Sequence, residues 1–379
     1  MSGLKVAIFT GNYNHIRDGV SLTLNRLVAF LLGKKVEVLV FGPTTEPPAF
    51  SHEGTLISVP SLSMPGRPEY RISIALSSRA TKKLEEFNPD IIHIATPDLL
   101  GFKALRWAIN RNKPVVSSYH THFSSYLKYY KLTLLEPFMW KYLRWFYSKC
   151  IMVFVPSYSM SEILEAKQIK SDLRIWARGI ESDKFSPVFR SDKWRREKGF
   201  KPEDIVISFV SRLVWEKNLN LFADLVKSLS SEYPQVKALI VGDGPAYEEV
   251  KEIIPEAVFT GFLEGEDLAT AYASSDLFFF PSDTETFGNV TLEAMASGLP
   301  CIVADATGSK SLVEHGVNGF LAPAGEPDDF YKLIENLIVN TELREKMAAA
   351  SIEKAVNYSW DSINSTLLGY YKEILEAEN

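Results

Sequence analysis

One continuous stretch, residues 277–304, restricts the fold more than any other part of the chain. It begins with a short apolar run, Leu277–Phe280, that ends at a proline, and it closes with a second apolar run, Cys301–Ala304. Short and fully apolar runs are typical of strands buried in a parallel sheet. A helix is predicted between them, starting near Gly288 and stopped by Gly298. The stretch therefore predicts a strand, loop, helix, strand unit of an α/β fold.

The loop of this unit places polar residues directly before an open helix N-terminus. Backbone N–H groups at such an end bind phosphate, and the helix dipole favours the negative charge. Gly288 lets a ligand approach the backbone closely. Glu285 in the loop and Glu293 in the helix can accept hydrogen bonds from sugar and ribose hydroxyls. The plain structural interpretation is a Glu285 that matches the helix dipole and a solvated Glu293.

Composition narrows the class of protein. The chain has 379 residues, which favours two domains, and it is 46% hydrophobic and 23% charged, as in ordinary soluble globular proteins. Cys150 and Cys301 lie beside apolar runs, which predicts buried thiols and a reducing cytoplasm. Residues 1–5 lead straight into a predicted strand, so we expect no secretory leader. No apolar run is long enough to span a bilayer, and a net charge of −6 argues against nucleic-acid binding.

The first half of the chain alternates between predicted strands and helices. Its predicted strands are Lys5–Thr10, Val36–Pro43, Pro89–Asp98, Pro114–Phe123 and Cys150–Ser157. The loop after the first strand leads into a helix from about Ser21 to Leu32 and lacks a GxGxxG pattern, so a dinucleotide site is poorly supported. In this loop, Gly19 and Val20 can offer backbone N–H groups to a phosphate. The alternative is that Gly19 is a plain turn residue before the helix.

Three histidines, His93, His120 and His122, are expected near the carboxyl edge of the first sheet, where α/β proteins bind ligands. A histidine after a strand is more often an ordinary capping residue. In the second half, Arg212 and Lys217 flank a turn after a predicted strand, so both cations can converge on one diphosphate. Their spacing alone is weak evidence, because two surface cations are commonplace.

Residues 101–149 are strongly basic in an acidic chain. They contain nine Lys or Arg and one acid, with many interleaved aromatic residues. Basic and aromatic residues together suit the surface of an anionic membrane. The alternatives are a pair of core helices with a solvated basic face and, less favoured because the rest of the chain is acidic, a nucleic-acid surface.

Several motifs together resemble those of retaining glycosyltransferase family 4, whose members have the GT-B fold. Residues 282–304 are similar to its donor-binding signature, SRLVWEKN at 211–218 matches its S-R-L-x-x-x-K-x pattern, and 178–181 matches its segment between domains. SYHTHFSSYLKYY at 118–130 and Asp-Gly-Val-Ser at 18–21 resemble the sulfoquinovosyltransferase and mannosyl-glycolipid-synthase branch. The resemblance covers almost the whole chain. In place of the paired glycines that the family commonly has after this signature, the chain has Asp-Ala-Thr-Gly-Ser at 305–309.

The resemblance implies an α/β chain of two Rossmann-like domains that face a cleft. The acceptor-side domain is expected at 1–186 and the nucleotide-sugar-binding domain at 187–357. A C-terminal helix in 358–379 is expected to cross back onto the first domain.

It also implies the chemistry. A hexose passes with retention from a UDP- or GDP-linked donor to a lipid such as diacylglycerol or a glycolipid, and the product is an α-glycoside. No cofactor or metal is expected, and the Asp283–Glu285 pair is a weak metal signal. We expect an enzyme of the cytoplasm, peripheral on the inner face of the cell membrane through 101–149.

The resemblance assigns roles to individual residues. His120 is expected to form a hydrogen bond with the transferred sugar. Glu285 is expected to bind the hydroxyls of that sugar, and Glu293 is expected to bind the ribose. Phe262 and Leu263 are expected to lie near the base. The expected catalytic residues are His120, Arg212, Lys217 and Glu285. The expected donor-binding residues are Gly19, Val20, Arg212, Lys217, Phe262, Leu263, Glu285, Thr286, Phe287, Gly288, Asn289, Val290 and Glu293.

Other functions stay open at this point. A GT-B glycosyltransferase with a soluble or polysaccharide acceptor would share these motifs, and so would a nucleotide-sugar epimerase of the same fold. A protein that binds nucleotide sugars without catalysis is the third alternative.

Overall fold

The structure is a computed structural model, and it describes residues 3–64, 67–120, 133–181 and 183–378. His122, which is expected near the carboxyl edge of the first sheet, lies outside these ranges. The chain divides into two compact units, one formed by Met1–Ala177 with Ile363–Asn379 and the other by Arg178–Ser362. The first unit thus ends at Ala177, ahead of the boundary expected at Ser186.

Strands and helices mostly alternate along the described chain, apart from the consecutive strands β2 to β5 and the three helices that follow the last strand. The strands are β1 Lys5–Phe9, β2 Glu37–Gly42, β3 Thr55–Ser58, β4 Ser61–Met64, β5 Arg67–Ser73, β6 Ile91–Ile94, β7 Val115–Ser118, β8 Met152–Val155, β9 Asp172–Ile175, β10 Ile205–Val210, β11 Val236–Val241, β12 Val258–Gly261, β13 Leu277–Phe280, β14 Cys301–Ala304 and β15 Gly319–Ala322. The described helices are α1 Gly19–Gly33, α2 Ser78–Phe87, α3 Leu99–Ile109, α4 Glu136–Tyr147, α5 Tyr158–Ala166, α6 Asp192–Glu197, α7 Leu219–Glu232, α8 Tyr247–Ile253, α9 Gly265–Ala273, α10 Asn289–Ala296, α11 Thr307–Lys310, α12 Pro327–Val339, α13 Thr341–Val356 and α14 Trp360–Glu378. None of these helices is long and apolar enough to cross a membrane.

The first unit is built on a parallel sheet with the order β3-β2-β1-β6-β7-β8-β9. The chain moves outward from β1 to β3 in one direction and from β6 to β9 in the other, so the order reverses between β1 and β6. At such a reversal the loops on either side diverge and leave a crevice at the carboxyl edge. A separate antiparallel pair, β4 and β5, belongs to the same unit.

His93 corrects one expectation about the first sheet. It lies inside β6 rather than at its carboxyl end, and its side chain is fully buried. Its ring nitrogens meet Tyr371 Oη at 2.6 Å and the hydroxyl of Ser118. Burial lowers the pKa of His93 to about 3, so the ring is neutral. His93 is therefore a core residue that ties α14 to the sheet, and Leu367 and Ile374 of the same helix pack in that core.

The second unit contains a parallel sheet with the order β12-β11-β10-β13-β14-β15. Both predicted apolar strands, β13 and β14, are confirmed as fully buried neighbours. The strand order reverses between β10 and β13, which are adjacent. The loops that follow β10 and β13 therefore emerge side by side at the carboxyl edge, and these loops carry most of the predicted site residues.

Candidate functional site

A cavity of about 370 Å³ opens at the carboxyl edge of the second sheet. It is lined by the ends of β10, β11 and β12 and by the start of α10. Five predicted residues come together there: Arg212, Phe262, Leu263, Val290 and Glu293. They derive from three separate sequence motifs, and the fold brings these motifs together around one cavity.

The Gly-Asp-Gly turn after β11 forms part of the cavity wall. Gly242 has φ of 136°, and a Cβ atom on it would overlap the carbonyl oxygen of Ser211. A Cβ atom on Gly244 would overlap the carbonyl of Leu213. Glycine at both positions therefore allows this turn to pack directly against the segment that follows β10.

Glu293 presents a carboxyl group to the cavity from α10. It is half-buried, and its Oε2 accepts a hydrogen bond of 3.0 Å from Tyr272 Oη, a fully buried hydroxyl. Burial raises the pKa of Glu293 to about 7, partly opposed by the hydrogen bond from Tyr272. The interpretation of Glu293 as a solvated surface residue is therefore wrong, because the side chain is fixed at the wall of a cavity.

Lys217 connects the loop after β10 to the loop after β13. Its Nζ lies 2.5 Å from Glu285 Oε1 and 3.2 Å from Thr284 Oγ1. Ser282 Oγ also donates to Glu285 Oε1, at 3.3 Å. The next residue, Asn218, donates from its side chain to the carbonyl of Pro281 at 2.9 Å. The two loops thus form one polar cluster, which we call the Lys217–Glu285 cluster.

Arg212 is placed differently from Lys217. Its side chain is 70% exposed and lies 3.5 Å from Glu216 Oε1, one turn further along the chain. Arg212 lines the cavity, whereas Lys217 is not among its lining residues. The two cations are therefore paired with different acids, Arg212 with Glu216 and Lys217 with Glu285. Their convergence on one diphosphate stays a prediction.

Gly288 is the N-cap residue of α10; it has φ of 98° and carries no side chain to cap the first turn. A Cβ atom on Gly288 would lie 2.7 Å from Ser309 Oγ. Gly308 packs even more closely, because a Cβ atom there would overlap the backbone of Phe287, and its N–H donates to Glu285 O at 2.7 Å. The segment that departs from the family's paired-glycine pattern thus holds the site loop through a single glycine.

The remaining predicted residues of this loop differ in their exposure. Phe287 is buried, and its ring lies 6.0 Å from that of Tyr358, so only its backbone is left for a ligand. Thr286 is half-buried and Asn289 is exposed. Phe262, at the far wall, is 72% exposed, a fraction that leaves its ring open to contact with a flat group.

Sequence reasoning missed several residues of the site. Tyr272, Ser282, Thr284 and Asn218 position the predicted groups, although the sequence gives none of them a role. Ser282, Thr284 and Asn218 lie within the matched motifs, whereas Tyr272 lies outside them. Tyr272 is distant from Glu293 in the chain and carries no local signal. Asn218 directly follows Lys217 and has positive φ, a conformation that asparagine adopts more readily than most residues.

The predicted residues of the first unit lie at the carboxyl edge of its own sheet. Gly19 opens α1 behind Asp18, whose Oδ1 accepts from the Ser21 N–H at 2.8 Å. Space around the Gly19 Cα is open, while Val20 packs against the core. His120 follows β7 and is buried, with its ring 5.4 Å from that of Trp176.

Within the described ranges, no group of three His, Cys, Asp or Glu residues is arranged to hold a metal ion. Glu285 of the Asp283–Glu285 pair is instead engaged with Lys217. Both cysteines, Cys150 and Cys301, are buried free thiols, as the sequence predicts.

Comparison with known proteins gives relatives over the whole length. The chain is 34% identical over 351 residues to sulfoquinovosyl transferase SQD2 of Arabidopsis thaliana, covering 90% of this chain and 68% of that protein. It is 31% identical to a GDP-mannose-dependent alpha-mannosyltransferase of Corynebacterium glutamicum, covering 98% of this chain and 89% of that protein. It is 27% identical to alpha-monoglucosyldiacylglycerol synthase of Streptococcus pneumoniae, covering 99% and 87% respectively.

Solved structures agree on the fold. Anabaena Alr3699/HepE in complex with UDP superposes with a TM-score of 0.74 at 21% identity, covering 98% of this chain and 100% of that chain. Residues 17–184 match the model of Glycosyltransferase Family 4, and residues 190–354 match that of Glycosyl transferases group 1. The chain therefore belongs to glycosyltransferase family 4 and is a glycosyltransferase with the GT-B fold.

Proposed function

We propose that this glycosyltransferase moves a hexose from a UDP- or GDP-linked donor, with retention, to a lipid acceptor such as diacylglycerol or a glycolipid. The observation that carries the donor part is the cavity that gathers Arg212, Phe262, Leu263, Val290 and Glu293. Its volume of about 370 Å³ lies within the range of small-ligand sites. The names of the corynebacterial and pneumococcal relatives favour this donor and acceptor chemistry.

The donor is positioned by groups of opposite character. Ribose hydroxyls donate to the carboxylate of Glu293, and the base lies against Phe262 and Leu263. The phosphates meet Arg212 and the uncapped start of α10, where backbone N–H groups and the helix dipole favour negative charge. The hexose hydroxyls extend towards Glu285.

The reaction needs the charge of the leaving diphosphate to be neutralised. Arg212, Lys217 and the helix start supply the positive charge that this step needs. The leaving phosphate itself takes the proton of the acceptor hydroxyl, and attack on the same face gives retention. His120, Gly19 and Val20 stay predicted contacts to the transferred sugar and the donor phosphates.

A surface of the first unit supports a lipid acceptor. Helix α3 exposes one face and α4 exposes another, and the two faces meet where the rings of Phe102 and Trp145 lie 5.8 Å apart. We call this the aromatic–basic surface, and it consists of Leu99, Phe102, Lys103, Arg106, Phe138, Lys141 and Trp145. Phe138 is 72% exposed, and the three basic residues are exposed beside it. Apolar rings with basic residues around them suit an anionic membrane surface.

Thermal denaturation with UDP, GDP, UDP-glucose and GDP-mannose tests the donor proposal, since a ligand that binds the native state raises Tm. Transfer of radiolabelled hexose to diacylglycerol vesicles, with product anomers resolved by NMR, tests the reaction. We expect one nucleotide family to raise Tm and the product to be an α-glycoside. An inverted product, or epimerised donor in a reaction without acceptor, would overturn the proposal.

A further inference from the structure

A second cavity lies in the first unit, at the carboxyl edge of its sheet. Its volume is about 370 Å³, and it opens between the loop after β1 and the loop after β2. The polar residues that line it are Asn14, Thr44, Thr45, Glu46 and His52. Leu56 of β3 and two prolines, at 47 and 48, form its apolar side. No residue assigned to the donor lines this cavity.

The two loops that form the cavity are fixed to each other by several hydrogen bonds. Ala49 N donates to Asn14 O at 2.9 Å, and Asn14 Nδ2 lies 3.1 Å from His52 Nδ1. Below them, Tyr13 Oη donates to Glu53 O at 2.7 Å, and Glu53 N donates to Asn25 Oδ1 at 2.8 Å. The cavity is thus a built feature of the fold rather than a gap between two independent surface loops.

Asn14 contributes a buried amide to the wall of this cavity. The residue is 4% exposed, and its Oδ1 has no hydrogen-bond partner within the part of the chain that the structure describes. A buried amide oxygen without a partner is costly. The hydroxyls of Thr44 and Thr45 donate to, or share with, Ser58 Oγ at 2.7 Å and Pro47 O at 3.1 Å. Their oxygens keep acceptor lone pairs for a ligand.

The lining has the wrong charge for a phosphate. Its one carboxylate is Glu46, and neither lysine nor arginine is among the described lining residues. The guanidinium of Arg71, on β5, donates instead to Ser61 Oγ at 2.8 Å and to Ser61 O at 3.1 Å. An amide, two hydroxyls, an imidazole and a carboxylate beside an apolar wall are suited to hydroxyl groups on a carbon skeleton.

We propose that this cavity holds an uncharged, hydroxyl-bearing head of the acceptor, a sugar or polyol, and disfavours heads that carry a phosphate. The inference rests on the proposed function only in naming this ligand as the acceptor. It narrows the acceptor to a neutral one, such as a diacylglycerol-linked sugar, and it applies equally to a free sugar of the same chemistry. The charge of Glu46 is the feature that separates neutral from anionic heads.

Direct binding tests the cavity without any need for transfer. Saturation-transfer NMR with glucose and with glucose 6-phosphate is recorded on the wild type, on Thr45→Leu and on the matched variant Thr55→Leu. Thr55 lies on β3 next to Leu56, and neighbouring strand residues point to opposite faces. We expect a glucose signal in the wild type and in Thr55→Leu, loss of it in Thr45→Leu, and a much weaker signal from glucose 6-phosphate.

Charge reversal sharpens the test. In Glu46→Lys we expect binding of glucose 6-phosphate to rise at least tenfold relative to glucose. Equal signals from both sugars in the wild type, or an unchanged preference in Glu46→Lys, would overturn the inference. The donor proposal would survive that result, because the Tm increase caused by nucleotide is measured on the same samples.

Transfer assays then distinguish the source of the head group. Vesicles that contain monoglucosyl diacylglycerol, vesicles that contain phosphatidylinositol, and free glucose are offered as acceptors. We expect Thr45→Leu to raise KM for the neutral acceptor at least tenfold with little change in KM for the donor. A preference of the wild type for phosphatidylinositol would contradict the inference, whether or not the donor proposal holds.

Discussion

The ammonium group of Lys217 lies 2.5 Å from Glu285 Oε1, and these side chains are only 18% and 19% exposed. An ion pair that is largely shielded from water is screened less than a surface pair. It joins the loop after β10 to the loop after β13 across the point where the strand order reverses. This ion pair therefore fixes the position of Lys217, a predicted phosphate-binding residue, relative to Glu285, a predicted sugar-binding residue.

Replacing Lys217 by alanine is expected to lower kcat by about 100- to 1,000-fold, the usual effect of losing one group that stabilises developing charge. The carboxylate of Glu285 is then left beside the leaving phosphate without its counter-ion. Circular dichroism should show an unchanged fold. Lys227→Ala, an exposed position on α7, serves as the matched control and should keep wild-type turnover. Full activity in Lys217→Ala would refute the diphosphate role.

Glu293 is expected to make nucleotide binding depend on pH. Since burial raises its pKa to about 7, the carboxyl group is increasingly protonated below that pH, and ribose hydroxyls bind best to the carboxylate. The affinity for UDP or GDP should therefore fall by up to about tenfold per pH unit below pH 7, with a plateau above it. Isothermal titration calorimetry between pH 5.5 and about 8.5 measures this dependence.

Stability should change with pH in the opposite direction. A folded pKa above the ordinary value means that the native state binds the proton more tightly than the unfolded chain does. The contribution of Glu293 to unfolding free energy is therefore present at low pH and is lost as pH rises from about 4.5 to about 7. Glu293→Gln should flatten both profiles, whereas Glu256→Gln, at an exposed position, should reproduce the wild type. Identical profiles in all three proteins would contradict this role.

Gly308→Ala tests the packing of the site loop. The new methyl group would overlap the backbone of Phe287, so the loop or the α11 segment must move, at a cost of about 1–3 kcal/mol. Weaker nucleotide binding should accompany the loss. Gly369→Ala in α14 is the control of opposite sign, because nothing lies within 4 Å of its added methyl group. It should stabilise the protein by about 0.5–1 kcal/mol. Urea unfolding separates the two outcomes.

The fold was largely predictable because its signals are local. Apolar runs such as Leu277–Phe280 and Cys301–Ala304 predict buried parallel strands, and the glycine at 288 predicts a helix start with room for a ligand. The motifs also point to the residues of the cavity, since loops after parallel strands share one edge of a sheet. What the sequence could not supply was the partner of each group.

Those partners depend on contacts between residues that are distant in the chain. Lys217 reaches Glu285 because β13 lies next to β10, and Tyr272 reaches Glu293 because α9 packs against α10. His93 shows the reverse case. Its position near a strand end suggested a ligand-facing residue, but the side chain points into the core, where Tyr371 from the other end of the chain receives it. In a fully buried strand, the sequence pattern does not distinguish a side chain that faces a ligand from one that faces the core.

Membrane binding is expected to depend on the aromatic–basic surface. Each basic residue near an anionic bilayer contributes about 1 kcal/mol, so the triple variant Lys103→Glu, Arg106→Glu, Lys141→Glu should lower vesicle partitioning by at least about 100-fold. Phe138→Ser should weaken it further, because its ring is 72% exposed. A triple variant of exposed lysines in the second unit, Lys227→Glu, Lys251→Glu, Lys346→Glu, carries the same charge change and should sediment with vesicles far better. Equal losses in both triple variants would assign binding to net charge alone.

Tyr371→Phe tests whether α14 is held in the first unit by a buried hydrogen bond. The neutral ring of His93 carries one donor and one acceptor nitrogen, and these are matched by Tyr371 Oη at 2.6 Å and by the Ser118 hydroxyl. Removing the tyrosine hydroxyl leaves a fully buried ring nitrogen without its partner, which costs about 1–3 kcal/mol.

Tyr370→Phe removes the same atom from the half-buried neighbouring ring and should change stability by less than about 0.5 kcal/mol. Because the donor cavity lies wholly in the second unit, the increase in Tm caused by nucleotide should be the same in both variants. Equal stability of the two variants would show that apolar packing of Leu367 and Ile374, rather than this hydrogen bond, holds the helix.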